Sequence, residues 1–322
     1  MVVKKLDPFL VAIIAALVVG LIWPAPDGLR SGISTAGDVL VALLFLLYGL
    51  RLRTTEVLSG LTNWKVQGLI FASTYIVFPL VGLAIHPLLV PVVGDGFATG
   101  FLYLAFLPST IQSSVTFTSI AGGDTGAAVC AATFSNVIGM FLTPLYVLVF
   151  MNIAGASAGS LTNVLTQLLL PFIIGQLLQP KLGDRIRRHP RSLRVYDQGT
   201  VVVIVLAAVL DSTAANTWDG VSAWQIIGLI AISSALLAFI LSFTWYVSGW
   251  AKITRAGRIA VLMCGSKKSL ATGLPMAQAI FPAAVIGPIA VPVIVFHQIQ
   301  LLVCAVIASR MGRLPEDAWS RP

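Results

Sequence analysis

The chain has 322 residues, 57% of them Ala, Val, Ile, Leu, Met, Phe, Trp, Tyr or Cys and only 10% charged. An ordinary soluble domain carries about 25% charged residues, so this composition excludes a soluble enzyme and points to a chain dissolved in lipid. The formal net charge of +8 sits on Lys and Arg flanking apolar runs, as a topology signal does, and requires no nucleic-acid partner.

A helix needs about 20 apolar residues to cross about 30 Å of hydrocarbon. Cut at its charges, prolines and polar clusters, the chain offers ten such segments: 6–23, 33–50, 66–85, 98–120, 126–151, 161–178, 197–212, 222–249, 257–280 and 287–309. They read as helices, because blocks such as Val201 to Leu210 carry none of the alternation of a transmembrane β-strand. Leu6 to Gly20 runs into Trp23-Pro24 without the small-residue site of a removable signal peptide, and is read as the first span. Asp38 opens the second segment and Asp211 closes the seventh, both at an interface, while Gln67 and Thr74 lie within the third. Cys130, Cys264 and Cys304 fall inside apolar segments with no close pair, which suggests packing rather than a disulfide framework or a zinc site.

Lys and Arg concentrate on the cytoplasmic flanks of spans. With the N-terminus inside, cytoplasmic segments hold seventeen of the twenty cations, from Lys4 and Lys5 through Arg51 and Arg53 to Arg321; Arg30 lies outside, and Lys267 and Lys268 lie within the ninth segment. Both termini are then cytoplasmic. The basic stretch Lys181 to Arg194 divides the spans five and five, and an odd number inverts the second half. The expected fold is an all-α membrane protein of ten transmembrane helices in two inverted five-helix repeats, 1–155 and 156–322, a build that secondary transporters use repeatedly. Polar residues interrupt the fourth and ninth segments at about mid-depth, which makes both broken helices.

The fourth segment reads Phe106-Leu107-Pro108-Ser109-Thr110-Ile111-Gln112-Ser113-Ser114-Val115. Pro108 removes a backbone donor and clashes with the preceding turn, so the helix stops or kinks, freeing carbonyls on one side and N–H groups on the other. Unwound backbone survives at membrane depth only where protein buries it or it lines a cavity. Ser109, Thr110, Gln112, Ser113 and Ser114 supply neutral ligands for an alkali cation or a polar substrate, and the fifth segment adds Thr133, Ser135 and Asn136 at similar depth. A single serine more often bonds back to its own helix; a cluster beside a proline break favours function.

The ninth segment reads Met263-Cys264-Gly265-Ser266-Lys267-Lys268-Ser269-Leu270. Each lysine at mid-membrane costs roughly 2.5 to 3.5 kcal/mol on insertion scales. Such a lysine can bind an anionic substrate, stand where another carrier holds a metal cation, or give up its charge and shuttle a proton. The competing placement is the cytoplasmic mouth, with the span beginning at Ser269; the apolar Ile259 to Cys264 just upstream argues against it. In the tenth segment His297, beside Gln298 and Gln300, either titrates near neutral pH or bonds across helices.

These residues resemble the bile acid:sodium symporter family, and within it the SBF-like subgroup that includes solute carrier family ten, member seven. The run 107–115, Ser135-Asn136 followed by Leu142-Thr143-Pro144, the run 264–270 and Phe296-His297-Gln298 carry the resemblance, which covers essentially the whole chain. It implies the ten-helix fold of inverted repeats, with spans 1, 2, 6 and 7 as a panel domain and spans 3–5 and 8–10 as a core domain. The broken fourth and ninth helices would cross in the core, and transport would move core against panel. The family's crossover serine falls on Ser113, the asparagine beside it on Ser114, and the fifth-helix hydroxyl position on Asn136, with Thr133 close by. The ninth segment departs. Where sodium-coupled members carry an acidic residue followed by glutamine and asparagine, this chain has Leu262 or Met263, then Ser266, then Lys267. Loss of a carboxylate weakens an all-oxygen cation site, and a lysine repels sodium. A lysine ammonium in the electrostatic place of one sodium leaves proton coupling, uncoupled anion movement, or coupling through a surviving weak site.

The expected function is a secondary active transporter in the plasma (bacterial inner) membrane that moves a small or amphipathic organic anion. Substrate contacts are expected from Ser109, Thr110, Gln112, Lys267, Lys268 and His297, and ion contacts from Ser113, Ser114, Thr133, Asn136 and Ser266. No cofactor is required beyond Na+ or H+ as coupling ion, the partners are solute and lipid, and no feature supports a homodimer. The alternative is a membrane regulator of calcium or ion homeostasis that keeps the carrier fold without turnover. An intramembrane enzyme is disfavoured: Gly155-Ala156-Ser157-Ala158-Gly159 matches GxSxG without a preceding strand or a nearby acid and histidine, and there is no HExxH or Walker loop.

Overall fold

The computed structural model describes residues 8–52, 63–151, 165–219 and 221–313. Lys4, Lys5, Arg53, Arg321, the GxSxG match at 155–159 and the expected division at 155/156 lie outside the described residues. The described chain is helical: α1 Pro8–Ile22, α2 Asp27–Arg51, α3 Trp64–Ala72, α4 Phe78–Val93, α5 Asp95–Phe106, α6 Gln112–Ile120, α7 Thr125–Phe150, α8 Leu170–Arg187, α9 Pro190–Ala214, α10 Ala223–Trp250, α11 Arg255–Gly265, α12 Leu270–Ile280 and α13 Ala283–Met311. A π-helical turn, Ser73–Val77, joins α3 to α4, and another, Leu165–Leu169, leads into α8.

This arrangement corrects the expectation of ten transmembrane helices in two inverted five-helix repeats. Among the described residues six helices are long and apolar enough to cross a membrane: α2, the continuous Trp64–Val93, α7, α9, α10 and α13. Of the remaining apolar segments α8 has 18 residues but carries Lys181, Asp184, Arg185 and Arg187, and the others are shorter. The expected fourth span is divided into α5 and α6, of 12 and 9 residues, the ninth into α11 and α12, of 11 each, and α1 has 15. At about 1.5 Å per residue none of these pieces covers about 30 Å of hydrocarbon. Apolar composition sums over a segment and is blind to where the helical ladder stops. Pro108, without an N–H, stops it in the fourth segment, and the polar run at Ser266 to Ser269 stops it in the ninth. Large apolar side chains such as Ile22, Leu80, Leu177, Phe239 and Leu302 face outward, a surface that suits lipid and not water. The protein is a multi-pass integral membrane protein.

The chain packs as two compact units. Of the described residues the first holds α1, α2, α8, α9 and Leu274–Ala290; the second holds α3 to α7, α10, α11 and the stretches 270–273 and 291–313. In the first unit α2 and α8 approach through glycines. A Cβ on Gly49 would meet the Phe172 carbonyl, and one on Gly175 would meet the Leu46 carbonyl. Lipid is as apolar as leucine, so helix pairs in a membrane gain from close backbone approach rather than from hydrophobic burial. Arg51 closes α2 with a bidentate pair to Asp197 on α9, at 2.8 and 2.9 Å, and lies 4.8 Å from the centre of the Tyr48 ring. Arg30 pairs with Asp211 at 3.2 Å, and Asp38 accepts from Gln278 Nε2 at 3.2 Å.

In the second unit residues 100–110 and 259–270 are buried without interruption, so the interruptions after α5 and α11 lie in its interior. Small side chains allow this. Ala128 and Ala131 of α7 pack with Ala260, Val261 and Cys264 of α11 and with Val66 and Ile70 of α3. All three cysteines are buried and none is joined in a disulfide. Overpacking the glycine contact of the first unit should cost about 1–3 kcal/mol. Gly175→Val is expected to lower the thermal midpoint of the purified protein, whereas Gly32→Ala, at a position where nothing lies within 4 Å of an added Cβ, should leave it in place.

Candidate functional site

Backbone accounting builds the site. Leu107 N–H donates to the Leu104 carbonyl at 3.2 Å, a tightened last turn of α5, because the usual partner of that carbonyl would be Pro108, which has no N–H. The next five carbonyls find donors outside the helical ladder. Lys268 Nζ donates to Ala105 at 2.8 Å and to Leu107 at 2.6 Å, and Thr143 Oγ1 donates to Phe106 at 2.8 Å. The Ser269 N–H donates to Pro108 at 2.8 Å, and Asn136 Nδ2 to Ser109 at 2.8 Å.

The second interruption is supplied in return. Ser109 Oγ donates to the Cys264 carbonyl at 2.6 Å and Ser73 Oγ to the Gly265 carbonyl at 2.8 Å. The Gln300 amide clasps Lys268 on both sides of its backbone, Oε1 accepting from the N–H at 2.9 Å and Nε2 donating to the carbonyl at 2.8 Å. Buried backbone groups have to be paired, and here each interruption supplies donors to the other.

Lys267 and Lys268 are 0% and 1% exposed. Besides Ala105 and Leu107, Lys268 Nζ donates to the Thr74 carbonyl at 2.9 Å and lies 4.2 Å from the centre of the Phe78 ring. The π-turn explains why Thr74 is available: the Phe78 N–H goes back to Ser73, and the following residue is Pro79, with no N–H to give. Lys267 is held differently. Its Nζ donates to the Ser113 carbonyl at 3.0 Å and sits 4.0 Å from the centre of the Phe117 ring. Among the described residues of the second unit the carboxylates are Asp95, at the start of α5, and Asp124, which caps α7; neither pairs with a lysine of the site.

The expected site residues divide into those brought together and those left apart. Ser109, Thr110, Ser113, Ser114, Asn136, Lys267 and Lys268 meet around the two interruptions, with Thr110 Oγ1 at 2.7 Å from Ser113 Oγ and 2.9 Å from Ser114 Oγ. Asn136 Nδ2 also donates to Ala132 at 2.8 Å, which leaves its Oδ1 as the acceptor it can offer a ligand. Gln112 is exposed at the start of α6, and Thr133 is half-buried with no hydrogen bond to the cluster among the described residues. Ser266 bonds back to Leu262 in its own helix. His297 lies beside the Gln300 amide, at 2.8 Å, and 3.5 Å from the Lys268 carbonyl, at the second interruption. Ser73, Tyr75, Phe117, Thr143 and Gln300 were not expected in the site, whereas Ser135, read from the sequence as lying at the depth of the cluster, joins it; Tyr75 bonds the Ser135 carbonyl, and Ser135 Oγ accepts from the Ser109 N–H at 3.0 Å. The Pro79 that orphans Thr74 is the signal that marks that partner in the sequence. An open depression between α6 and α7, lined among others by Val115, Ser119 and Val129, includes none of the expected residues. Among the described residues no three His, Cys, Asp or Glu side chains are grouped to hold a metal ion.

The model of the SBF-like CPA transporter family (DUF4137) matches residues 7–313. The chain belongs to this family. Protein PA2026 of Pseudomonas aeruginosa is 37% identical over 315 residues, 97% of this chain and 95% of that protein. YfeH of Escherichia coli K12 is 35% identical over 316 residues, 98% and 95% of the two chains. Sodium/bile acid cotransporter 7 of Rattus norvegicus is more distant, 26% identical over 280 residues, 85% of this chain and 82% of that protein. Membership places the chain among transporters of small solutes and not among enzymes.

The hydrogen bonds around Lys268 make a graded prediction, because each buried group left unpaired costs about 1–3 kcal/mol. Gln300→Leu strips both backbone groups of Lys268 and should lower the thermal midpoint more than Thr143→Val, which strips the Phe106 carbonyl alone. Equal losses would show that the clasp on Lys268 carries no special weight.

Proposed function

We propose that the protein is a secondary transporter of a small organic anion with an apolar body, and that Lys267 supplies the charge that binds it. The observation that carries this reading is the Lys267 ammonium: buried, and held by one ring face and by the carbonyl of Ser113, which belongs to the hydroxyl cluster with Thr110 and Ser114. An ammonium has three donors, so two are left to meet a carboxylate or sulfonate. Phe117 offers apolar surface beside it, the combination of apolar wall and few polar anchors typical of small-molecule sites. Thr110, Ser113, Ser114 and Asn136 Oδ1 supply the neutral polar contacts. The bile acid in the name of the Rattus norvegicus cotransporter, an organic anion with an apolar body, supports a solute of this class.

The same ammonium argues against sodium as coupling ion. Two unit charges about 4 Å apart repel by roughly 4 kcal/mol at an effective dielectric of about 20. The Thr110 hydroxyl bonds those of Ser113 and Ser114, and among the described residues no carboxylate joins them, a poor set for a hard cation. Lys267 thereby takes the electrostatic place of a sodium ion, leaving proton coupling or uncoupled movement. The second unit is our candidate for the core domain of the resemblance and the first for its panel. Clusters of cations such as Arg185, Arg187, Arg188, Arg191 and Arg194 support cytoplasmic termini in a bacterial inner membrane.

Thermal unfolding of the purified protein against a panel of organic anions, in sodium and in potassium, tests the reading. An anion at about 100 times its dissociation constant stabilises by about 2.7 kcal/mol. At least one anion should raise the midpoint equally in both salts and lose that effect in Lys267→Ala. Stabilisation that depends on sodium, or that survives Lys267→Ala, defeats the assignment.

A further inference from the structure

We propose that the Lys268 ammonium is a tethered monovalent cation: it fills a cation site built from three backbone carbonyls and thereby holds the interruptions after α5 and α11 together, without touching the transported solute. The three oxygens, of Thr74, Ala105 and Leu107, stand 2.9, 2.8 and 2.6 Å from Nζ. Each has lost its helical partner for its own reason. Thr74 lacks one because of Pro79, Ala105 because the Ser109 N–H is taken by Ser135 Oγ, and Leu107 because the chain after it is unwound.

Donor counting fixes what occupies this site. A neutral amine has two N–H donors and an ammonium three, so three acceptors engage an ammonium completely. Nothing is left for a solute, in contrast to Lys267, which has one carbonyl acceptor. The charge is compensated by dipoles: the carbonyl end of α5, where a cation is favoured, and the Phe78 ring at 4.2 Å. The titratable groups nearby include Tyr75, whose ring centre lies 6.0 Å from Nζ, Lys267 and His297, and among the described residues no ion pair involves Lys268. Carbonyl oxygens around one positive centre, with no carboxylate, are how a protein holds an alkali or ammonium ion. Here the ion is attached to the chain, and the Gln300 clasp fixes the backbone from which it reaches.

Cutting the lysine back should therefore expose a site for a small monovalent cation. This holds whether or not the protein carries an anion on Lys267. The experiment is thermal unfolding of the full-length protein at constant ionic strength in choline chloride, then with ammonium, methylammonium, sodium or potassium replacing choline. The unmodified protein and Lys267→Ala should have the same midpoint in all five salts. Lys268→Ala should unfold lower in choline and recover at least half the loss, saturably, with one of the small cations; Lys268→Met, whose stem fills the space, should unfold lower and recover nothing. A Lys268→Ala midpoint equal to that of the unmodified protein, or one no cation raises, overturns the proposal. A second measurement needs no weakened variant: with 15N at the lysine Nζ and the Lys268 signal assigned through Lys268→Arg, the unmodified protein should show ammonium protons in slow exchange with water. Fast exchange at that signal overturns the proposal as well.

Discussion

Hydrocarbon offers no hydrogen-bond partner, so every carbonyl that leaves a helical ladder inside a membrane must find a donor within the protein. The second unit is organised around this constraint. Pro79 leaves the Thr74 carbonyl without its helical partner and the break at Pro108 those of Ala105 to Ser109, and donors from α7 and the residues after α11 converge on them. A chain that unwinds two helices at depth has to supply some half a dozen such bonds, and it does so with Ser, Thr, Asn, Gln and one ammonium. The alanines of α7 and α11 follow from the same requirement, since the donors reach their carbonyls only if the helices approach closely.

Much of this was legible in the residues. Composition alone gives a helical membrane protein, and proline's missing N–H is a local property that marks position 108 from sequence. The cluster of Ser109, Thr110, Ser113 and Ser114 was visible because polar residues stand out against an apolar background. The number of spans was not legible, because hydropathy averaged over about 20 residues treats two short helices and one long helix alike. Ser73, Thr143 and Gln300 were also out of reach as partners. Each looks like an ordinary polar residue that would bond back to its own helix, and only the meeting of distant elements shows which carbonyl it serves.

The adjacent lysines illustrate how far neighbours in sequence can differ in chemistry. Both are buried and bear a desolvation cost, and among the described residues neither pairs with a carboxylate that would offset it. Lys268 is compensated fully by oriented carbonyls and belongs with the backbone. Lys267 is compensated in part, by the Ser113 carbonyl and the Phe117 ring. A buried cation with donors to spare is stabilised by anything anionic that reaches it, and in the function proposed above this incomplete compensation would be the basis of affinity.

A pair of fixed positive charges has an electrical consequence. In a carrier whose binding groups traverse part of the bilayer, the empty form moves the charge of both lysines, whereas the form loaded with a monovalent anion moves one unit less. Each elementary charge crossing the full field exchanges about 2.3 kcal/mol per 100 mV. An energised membrane, negative inside, would then draw the empty form inward more strongly than the loaded one, so that the membrane potential itself, with no co-transported ion, would set which side of the bilayer the vacant site faces.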